Sequence, residues 1–282
     1  MANAANAESA MSPQERWQVS GNAPEAYEHS LVPTLFTPWA HDLIARAALR
    51  PGERVLDVAC GTGIVARLAA AHVGIAGHVV GVDLNPGMLA VARAQTLTTA
   101  SARVEWRAGD ANALPCDNAT FDVVFCQQGL QFFPDKDRTL REMYRVLAPE
   151  GRLALSVWRA LPYNPYHRAL ADAVERHVGP DAGRGMRAPC GFGNAQALRT
   201  LLATVGFRET HIHIVILTMR HPSPAAYIPG QLAALPFAGA IKALEPAMQT
   251  ALYNDILTAL CPYIDDAGLA VPLEAHVALA QK

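Results

Sequence analysis

Short apolar runs alternate with amphipathic stretches through the first half of the chain. The runs have strand character, and in the stretches between them apolar residues recur with helical spacing. This pattern predicts strands near 54–58, 78–82, 103–108, 121–126 and 152–158, and helices near 64–71, 86–97 and 136–147. Strands that alternate with helices predict an α/β fold, with a mostly parallel, Rossmann-like sheet and helices on both faces.

The pattern changes after residue 158. Helical spacing returns at 163–178 and 195–205, and a segment rich in Gly, Pro and Arg, 179–193, separates these two stretches. Alternating isoleucines predict a strand at 207–219, and another is predicted at 269–280. Before the sheet, short helices are predicted at 13–20 and 24–31 and a clearer one at 38–49.

Composition limits the class of protein. Hydrophobic residues make up 51% of the 282 positions, the formal charge is −2, and Lys and Arg form no run, which argues against a nucleic-acid substrate. The five cysteines are widely spaced without a C-x-x-C pair, which predicts reduced thiols, a cytoplasmic protein and no metal site. No apolar stretch reaches the roughly 18–20 residues that span a bilayer, so stable membrane insertion is not expected.

The most informative motif is a small-residue turn that follows the first predicted strand. It reads Val-Leu-Asp-Val-Ala-Cys-Gly-Thr-Gly over residues 55–63, and the next predicted strand leads into Asp83. Small residues let a ligand approach the backbone, and an acid at this place accepts hydrogen bonds from ribose hydroxyls. Gly61, Gly63 and Ala66 also match the dinucleotide pattern G-x-G-x-x-G/A, so a nicotinamide or flavin cofactor stays open at this point.

Three further features favour a different nucleoside. Asp57, four residues before Gly61, would repel a pyrophosphate but suits a ligand that carries an ammonium and a sulfonium group. Asp110 and Ala111 follow the third predicted strand and offer an acceptor for an adenine amino group beside a small residue. The fourth predicted strand runs into Gln127 and its polar neighbours.

Together these motifs resemble the class I S-adenosylmethionine (SAM)-dependent methyltransferases, and most of all the small-molecule branch with the ubiquinone/menaquinone-type enzymes. The motifs occur in the family's order, and they cover 57–63, 83–89, 109–115, 121–133 and 145–153. The family's D-x-G-x-G-x-G is altered at Ala59. The resemblance implies a seven-stranded sheet whose last strand is antiparallel, and SAM as the cofactor.

The resemblance also implies a division of the chain. A flexible tail would cover 1–12, helices that close over the cofactor or substrate 13–50, and the SAM-binding core 51–220. A helical insertion at 221–266 would form a lid, and the final strand of the core would lie at 267–282. A connection as long as this insertion usually serves a binding site.

Individual positions receive roles from the same resemblance. Gly61 and Gly63 would pass under the methionine part, Asp83 would hold the ribose, Leu84 and Met88 would flank the adenine, and Gln127 would lie near the methionine end. Simpler alternatives are turn glycines, a core Met88 and an Asp110 that caps its own turn. The full set of expected cofactor residues is Tyr27, Asp57, Ala59, Gly61, Thr62, Gly63, Asp83, Leu84, Met88, Gly109, Asp110, Ala111 and Gln127.

The substrate is expected beyond the fourth and fifth strands, at Gln128, Gln131, Trp158 and Tyr163. No firm catalytic residue is assigned: His167 and Gln131 are weak candidates, and Gln cannot abstract a proton. An apolar or aromatic small molecule is expected, because the insertion supplies apolar side chains for a lid: Tyr227, Ile228, Leu232, Leu235, Phe237, Ile241 and Leu244.

Other interpretations remain open from the sequence alone. The insertion's apolar side chains could pack against the sheet or against a second copy of the chain in a homodimer. The protein could bind SAM without turnover, or, with support from the glycine spacing only, be a nicotinamide-dependent oxidoreductase. No nucleic-acid partner is expected.

Overall fold

A computed structural model describes residues 19–282, so the predicted tail and most of the first predicted helix lie outside the described residues. The strands form one sheet in the order β3-β2-β1-β4-β5-β8-β6, with β7 beside β8. The first five strands are parallel, and β8 runs antiparallel to both β5 and β6. Their bounds are β1 Arg54–Val58, β2 His78–Asp83, β3 Arg103–Ala108, β4 Phe121–Gln127, β5 Leu147–Trp158, β6 Arg208–His221, β7 Ile264–Asp265 and β8 Gly268–Gln281.

This sheet confirms the predicted α/β, mostly parallel fold with an antiparallel last strand. The seven predicted strands are present, and the two-residue β7 is an additional one. The helices are α1 Ala23–Ala26, a π-helix Tyr27–Phe36, α2 Thr37–Ala47, α3 Ile64–Val73, α4 Pro86–Ala94, α5 Lys136–Val146, α6 Pro165–His177, α7 Pro180–Arg187, α8 Ala195–Val205, α9 Pro224–Ala233, α10 Ala238–Lys242 and α11 Pro246–Leu260, with short 3₁₀ turns at Leu130–Phe132, Leu161–Tyr163, Ala188–Cys190 and Cys261–Tyr263.

The two faces of the sheet bury separate apolar clusters, because successive side chains of a strand point to opposite faces. In β1, Val55 belongs to one cluster and Leu56 to the other. The first cluster packs under α2, α3, α6 and the helices of the insertion, and the second packs under α5 and α8. Among residues 19–282, no helix is both long enough and apolar enough to span a membrane.

The segment 179–193, which separates two predicted helices, is itself mostly helical, since α7 and a 3₁₀ turn occupy most of it. Pro180 begins the helix, where its missing amide hydrogen costs nothing. A Cβ on Gly183 would lie 2.4 Å from the Cβ of Glu175, and one on Gly185 would lie 2.2 Å from the ring of Phe237. The two glycines therefore allow close packing of this helix, which compensates for their low helix propensity.

The short helix predicted at 24–31 is longer than expected, and most of it is a π-helix, which has more residues per turn than an α-helix. It begins as α1 and continues as the π-helix to Phe36. Pro33 lies inside this π-helix, and proline interrupts the α-helical hydrogen-bond ladder and crowds the carbonyl four residues earlier. A wider turn accommodates such a residue, and π-helical turns often occur at functional sites.

Candidate active site

A cavity of about 180 Å³ opens at the carboxyl ends of the parallel strands. This edge of an open α/β sheet is where ligands bind in such folds, because the strand order reverses there. The cavity extends from the ends of β2 and β3, past β4, to the end of β5. It brings together most of the site residues predicted from the sequence: Tyr27, Ala59, Gly61, Asp83, Leu84, Met88, Gly109, Ala111, Gln127, Gln128, Trp158 and His167.

The turn between β1 and α3 forms the floor of the cavity. Ala59, Gly61 and Gly63 have positive φ angles of 57°, 55° and 88°, a region in which glycine has no steric cost. Gly61 lines the cavity, whereas Gly63 lies outside the lining. A Cβ on Gly63 would lie 2.2 Å from the ring of Trp106 in β3, so this glycine makes room for the tryptophan.

The carboxylate of Asp83, at the end of β2, lies at the edge of this turn. Its Oδ2 accepts a hydrogen bond from the Gly61 amide and its Oδ1 accepts one from the Asn85 amide, each at 2.8 Å. Burial raises the pKa of Asp83, and these amides oppose that shift. A carboxylate oxygen has two lone pairs. The group can therefore hold the turn and still accept hydrogen bonds from a ligand's hydroxyl groups.

Asp57 lies under the same turn rather than in the cavity lining. It is 1% exposed, and its Oδ2 accepts a hydrogen bond from the Ala66 amide in the first turn of α3, at 3.1 Å. Burial raises its pKa to about 8, although the Ala66 amide acts in the opposite direction, and the nearby Asp83 adds to the rise. A cationic ligand close to the turn would favour the charged form of this carboxylate.

Other predicted cofactor residues lie beside the cavity. Thr62 is buried outside the lining. Asp110 lies between the lining residues Gly109 and Ala111, but it is exposed and its Oδ1 accepts a hydrogen bond from the Asn112 amide at 2.9 Å. In this conformation it caps its own turn.

The π-helix covers the cavity beside the turn of Gly61, where a Cβ on this glycine would lie 3.9 Å from the Tyr27 ring. Tyr27 stacks on Phe36 with ring centroids 5.1 Å apart, and both rings line the cavity. Glu28 forms an ion pair with Arg67 of α3 at 2.7 Å, which attaches the cover to the helix after the glycine turn. His29 points outward, and its Nδ1 lies 2.7 Å from the Glu25 carbonyl oxygen.

At the other end of the cavity, Gln127 and Trp158 are the last residues of β4 and β5, and Gln128 directly follows β4. Gln127 donates a hydrogen bond from Nε2 to the Phe36 carbonyl at 3.3 Å. Gln131 is buried behind Gln128, where its Nε2 lies 3.5 Å from the Gln128 Oε1. Tyr163 is 47% exposed and lies outside the lining, with the guanidinium carbon of Arg159 3.6 Å from its ring centroid.

His167 of α6 lies next to Trp158, with the two ring centroids 5.0 Å apart. The imidazole is 6% exposed, and burial lowers its pKa to about 4. It is therefore neutral at pH 7. A neutral imidazole can donate or accept a hydrogen bond, but one with so low a pKa is a weak general base.

Sequence reasoning missed several lining residues. Met186 and Pro189 come from the segment 179–193, and Gln231, Ala234 and Pro236 come from the insertion. Of the seven insertion residues predicted to form the lid, Leu235 lines the cavity. Tyr227, Ile228, Leu232 and Ile241 belong instead to the cluster under the sheet, as the packing alternative expected. A lone Gln within an apolar helix was the available signal for Gln231.

The residues of the glycine turn and those that follow β2 and β3 fit SAM. Asp83 offers lone pairs for a ribose diol, Gly61 leaves the backbone open, and Ala111 and Met88 provide a small and an apolar surface for a ring. No group of three or more His, Cys, Asp and Glu side chains within residues 19–282 is placed to hold a metal ion.

Known methyltransferases are similar to this chain in sequence. A family model described as a methyltransferase domain matches residues 55–151. The chain is 36% identical over 169 residues to the arsenite methyltransferase of Halobacterium salinarum, a match that covers 60% of this chain and 40% of that protein. It is 34% identical over 181 residues to the ubiquinone/menaquinone biosynthesis C-methyltransferase UbiE of Xanthomonas campestris, covering 55% and 71%.

Solved structures share the fold. The phosphoethanolamine N-methyltransferase 2 of Haemonchus contortus, in complex with phosphomonomethylethanolamine and S-adenosylhomocysteine, superposes with a TM-score of 0.61 at 21% identity. That superposition covers 96% of this chain and 60% of the other. The chain spans less than two thirds of several curated relatives, including 40% of the arsenite enzyme and 62% of a 2-phytyl-1,4-naphtoquinone methyltransferase of Synechococcus elongatus. With its matched motifs, its sheet order and its relatives together, the chain belongs to the class I SAM-dependent methyltransferases.

Proposed function

We propose that the cavity binds SAM and that the protein transfers the methyl group to a small, apolar or aromatic molecule. The observation that carries this proposal is the position of Asp83. Its carboxylate holds the glycine turn through the Gly61 amide and also lines the cavity. A ribose at this place would lie over the turn, with its hydroxyl groups within reach of the acid.

The order of the strands indicates how SAM would be oriented in the cavity. Three strand steps separate β2 from β5, which corresponds to about 14 Å across the sheet. A nucleoside at the ends of β2 and β3 would place the methionine part of SAM over β1 and β4. The methyl group would then face the region between Gln127 and Trp158, which we call the acceptor end of the cavity. Two of the predicted substrate residues, Gln128 and Trp158, line the cavity. The opposite end, at β2 and β3, is called the nucleoside end.

Methyl transfer from a sulfonium places modest chemical demands on the protein. When bound, SAM supplies a methyl group on a positively charged sulfur that accepts the bonding electrons as the carbon leaves. The chain's residues must align the acceptor with that carbon and exclude water. In well-oriented intramolecular reactions, such positioning lowers the activation free energy by about 7–11 kcal/mol. Trp158, Leu170 and Leu235 supply an apolar wall for this purpose, and the π-helix with Tyr27 covers the other end.

Apolar side chains dominate the lining of the cavity, which supports an apolar or aromatic substrate. Phe132, Phe133, Leu170, Met186 and Leu235 are among the lining residues. The relatives differ in what their names say they methylate, since the names include arsenite and quinones. The choice among small-molecule classes therefore rests on the cavity of this chain.

The test is incorporation of labelled methyl groups from SAM into a panel of phenols, hydroquinones, thiols and amines. The proposal predicts a labelled product from at least one apolar or aromatic member, together with release of S-adenosylhomocysteine. Binding of SAM without transfer to any member of the panel would favour a non-catalytic SAM-binding protein. Binding of NADH in place of SAM would favour the oxidoreductase alternative.

A further inference from the structure

We propose that the acceptor end of the cavity selects an uncharged molecule with a hydrogen-bonding oxygen or nitrogen, and that Gln231 of α9 determines this specificity together with His167. This inference rests on the proposed function, because it assigns the substrate class of the same site. It also gives the insertion a direct part in substrate recognition.

Gln231 is an unusual residue for its surroundings. It is 3% exposed, and it lines the cavity together with Ala234 and Leu235, while its helix neighbours Ile228 and Leu232 pack into the apolar cluster under the sheet. Its Oε1 is buried without a hydrogen-bond partner among the described residues. A buried amide oxygen without a partner is destabilising, so a ligand that supplies a hydrogen-bond donor is favoured at this place.

His167 offers a second unsatisfied group in the same cavity. Its Nδ1 is buried and has no partner among the described residues, and neither does the Nε2 of the lining residue Gln128. A glutamine amide and a neutral imidazole each provide both a donor and an acceptor. The three side chains therefore present hydrogen-bonding capacity without charge, which suits a carbonyl, hydroxyl or neutral amine of a substrate.

The charges of the lining exclude an ionised acceptor. Among the described residues that line the cavity, Asp83 at the nucleoside end is the one Asp, Glu, Lys or Arg side chain. Arg159, close in sequence to Trp158, lies outside the lining, and its guanidinium pairs with Glu274 and stacks on Tyr163. A phosphate, carboxylate or ammonium group at the acceptor end would be buried without an opposite charge, which is costly.

Packing between α9 and the π-helix fixes the position of Gln231. The neighbouring Gly230 lies against the π-helix, where a Cβ would be 2.7 Å from the Ser30 Oγ. The missing side chain lets α9 approach the π-helix closely. Gln231 is thereby held at the cavity before a ligand binds, which reduces the entropy lost on recognition.

The test measures selectivity as well as affinity. Equilibrium dialysis of the protein loaded with S-adenosylhomocysteine is run with three compounds that share one ring: 2-naphthol, 6-hydroxy-2-naphthoate and 6-(aminomethyl)-2-naphthol. The variants are Gln231→Met, which keeps the volume, and Gln231→Glu, which keeps the shape. Gln196→Met is the matched control, because Gln196 is exposed on α8 and lies outside the lining.

Wild-type protein should bind the neutral naphthol at least tenfold more tightly than either ionised compound. Gln231→Met should weaken naphthol binding about tenfold, the value of one hydrogen bond, and reduce the selectivity. Gln231→Glu should shift the preference toward the ammonium compound, and the control should match the wild type. A role in folding alone would not change the order of the three compounds, and thermal unfolding of each variant shows whether it is folded.

Equal binding of the carboxylate, unchanged selectivity in both Gln231 variants, or no binding of the neutral compound would each overturn the inference. The proposed function is read separately, by calorimetric titration with S-adenosylhomocysteine and by methyl incorporation. A protein that binds the cofactor product and methylates an ionised acceptor would retain the proposed function and lose this inference. A protein that does not bind the product would lose both.

Discussion

Asp83 Oδ2 accepts a hydrogen bond from the Gly61 amide at 2.8 Å, and this contact joins the end of β2 to the turn that follows β1. The strands β1 and β2 are neighbours in the sheet, so the turn after one lies beside the end of the other. The bond fixes the height of the glycine turn beside the cavity. It also leaves lone pairs on the carboxylate for a ribose, so one side chain has a structural and a proposed binding role.

Replacement of Asp83 should weaken the binding of SAM and of S-adenosylhomocysteine to the same extent. Asp83→Ala is expected to reduce the affinity for SAM and for S-adenosylhomocysteine by at least tenfold, because hydrogen bonds to a charged group contribute about 1.5–3 kcal/mol. Both ligands carry the same ribose, so the ratio of their affinities should not change. Calorimetric titration measures both values.

Asp181→Ala is the matched control for that experiment, since Asp181 is exposed at the start of α7, outside the cavity lining. An Asp83 variant that is folded and binds SAM as well as the control does would refute the role of this carboxylate.

The packing of Gly63 against Trp106 predicts a large effect on stability. Gly63→Ala places a Cβ 2.2 Å from the indole ring and also forces alanine into a positive φ of 88°. Gly52 has a similar φ of 85° but open surroundings, with the nearest atom 4.0 Å away. Gly52→Ala should therefore cost about 1–2 kcal/mol for the backbone alone, and Gly63→Ala about 1–3 kcal/mol more for the overpacking.

Chemical denaturation of the two variants isolates the steric part as the difference between them. Equal loss of unfolding free energy in the two variants would mean that the Trp106 ring moves aside without destabilising the fold.

The strands and the cofactor turn were predictable from the sequence because local pattern determines them. Val55 to Val58 is a largely apolar run that leads into small residues, and the next predicted strand leads into Asp83, so a nucleoside site was expected at this edge of the sheet. The family resemblance placed Gln127 near the methionine end, and Trp158 was expected at the substrate pocket because it ends the fifth predicted strand.

Other features depend on contacts between residues far apart in sequence. Helix α7 forms because Gly185 lies against Phe237, a contact that no local propensity records. Gln231 reaches the cavity because its neighbour Gly230 packs on Ser30, about two hundred residues earlier in the chain. Nor could sequence show that Gly63 faces Trp106 rather than the ligand. In these cases tertiary packing, not periodicity, decides the position.

The raised pKa of Asp57 makes the stability of the ligand-free protein depend on pH. Its pKa is about 8 in the fold, against about 3.9 in an unfolded chain, so the folded state binds more protons between these values. The stability that this group contributes is fully present below about pH 4 and is lost as pH rises toward 8. Asp57→Asn keeps an oxygen for the Ala66 amide and does not ionise, so it should remove this part of the pH dependence.

Thermal unfolding at pH 5 and pH 8 measures the difference, and the fall in melting temperature between the two should be smaller in the variant than in the wild type. A fall of the same size in both proteins would show that Asp57 does not titrate in this range.

The lowered pKa of His167 leads to a prediction about catalysis. Because the imidazole is neutral above about pH 5, His167 should not produce an inflection near pH 6.5 in the rate of methyl transfer. His167→Gln keeps a hydrogen-bonding side chain and should retain the rate within about tenfold, whereas loss of a general base costs about 100-fold or more. The pH profile of both proteins with one acceptor distinguishes the two roles. A wild-type inflection that disappears in the variant would identify His167 as a base.

The most direct test of the account is calorimetric titration of the purified wild-type protein with SAM, S-adenosylhomocysteine and NADH. We expect one site per chain that binds both sulfur nucleosides with micromolar affinity and does not bind NADH. If neither sulfur nucleoside releases or absorbs heat at any temperature tried, or if NADH occupies the site instead, the cavity at Asp83 is not a SAM site and the account is wrong.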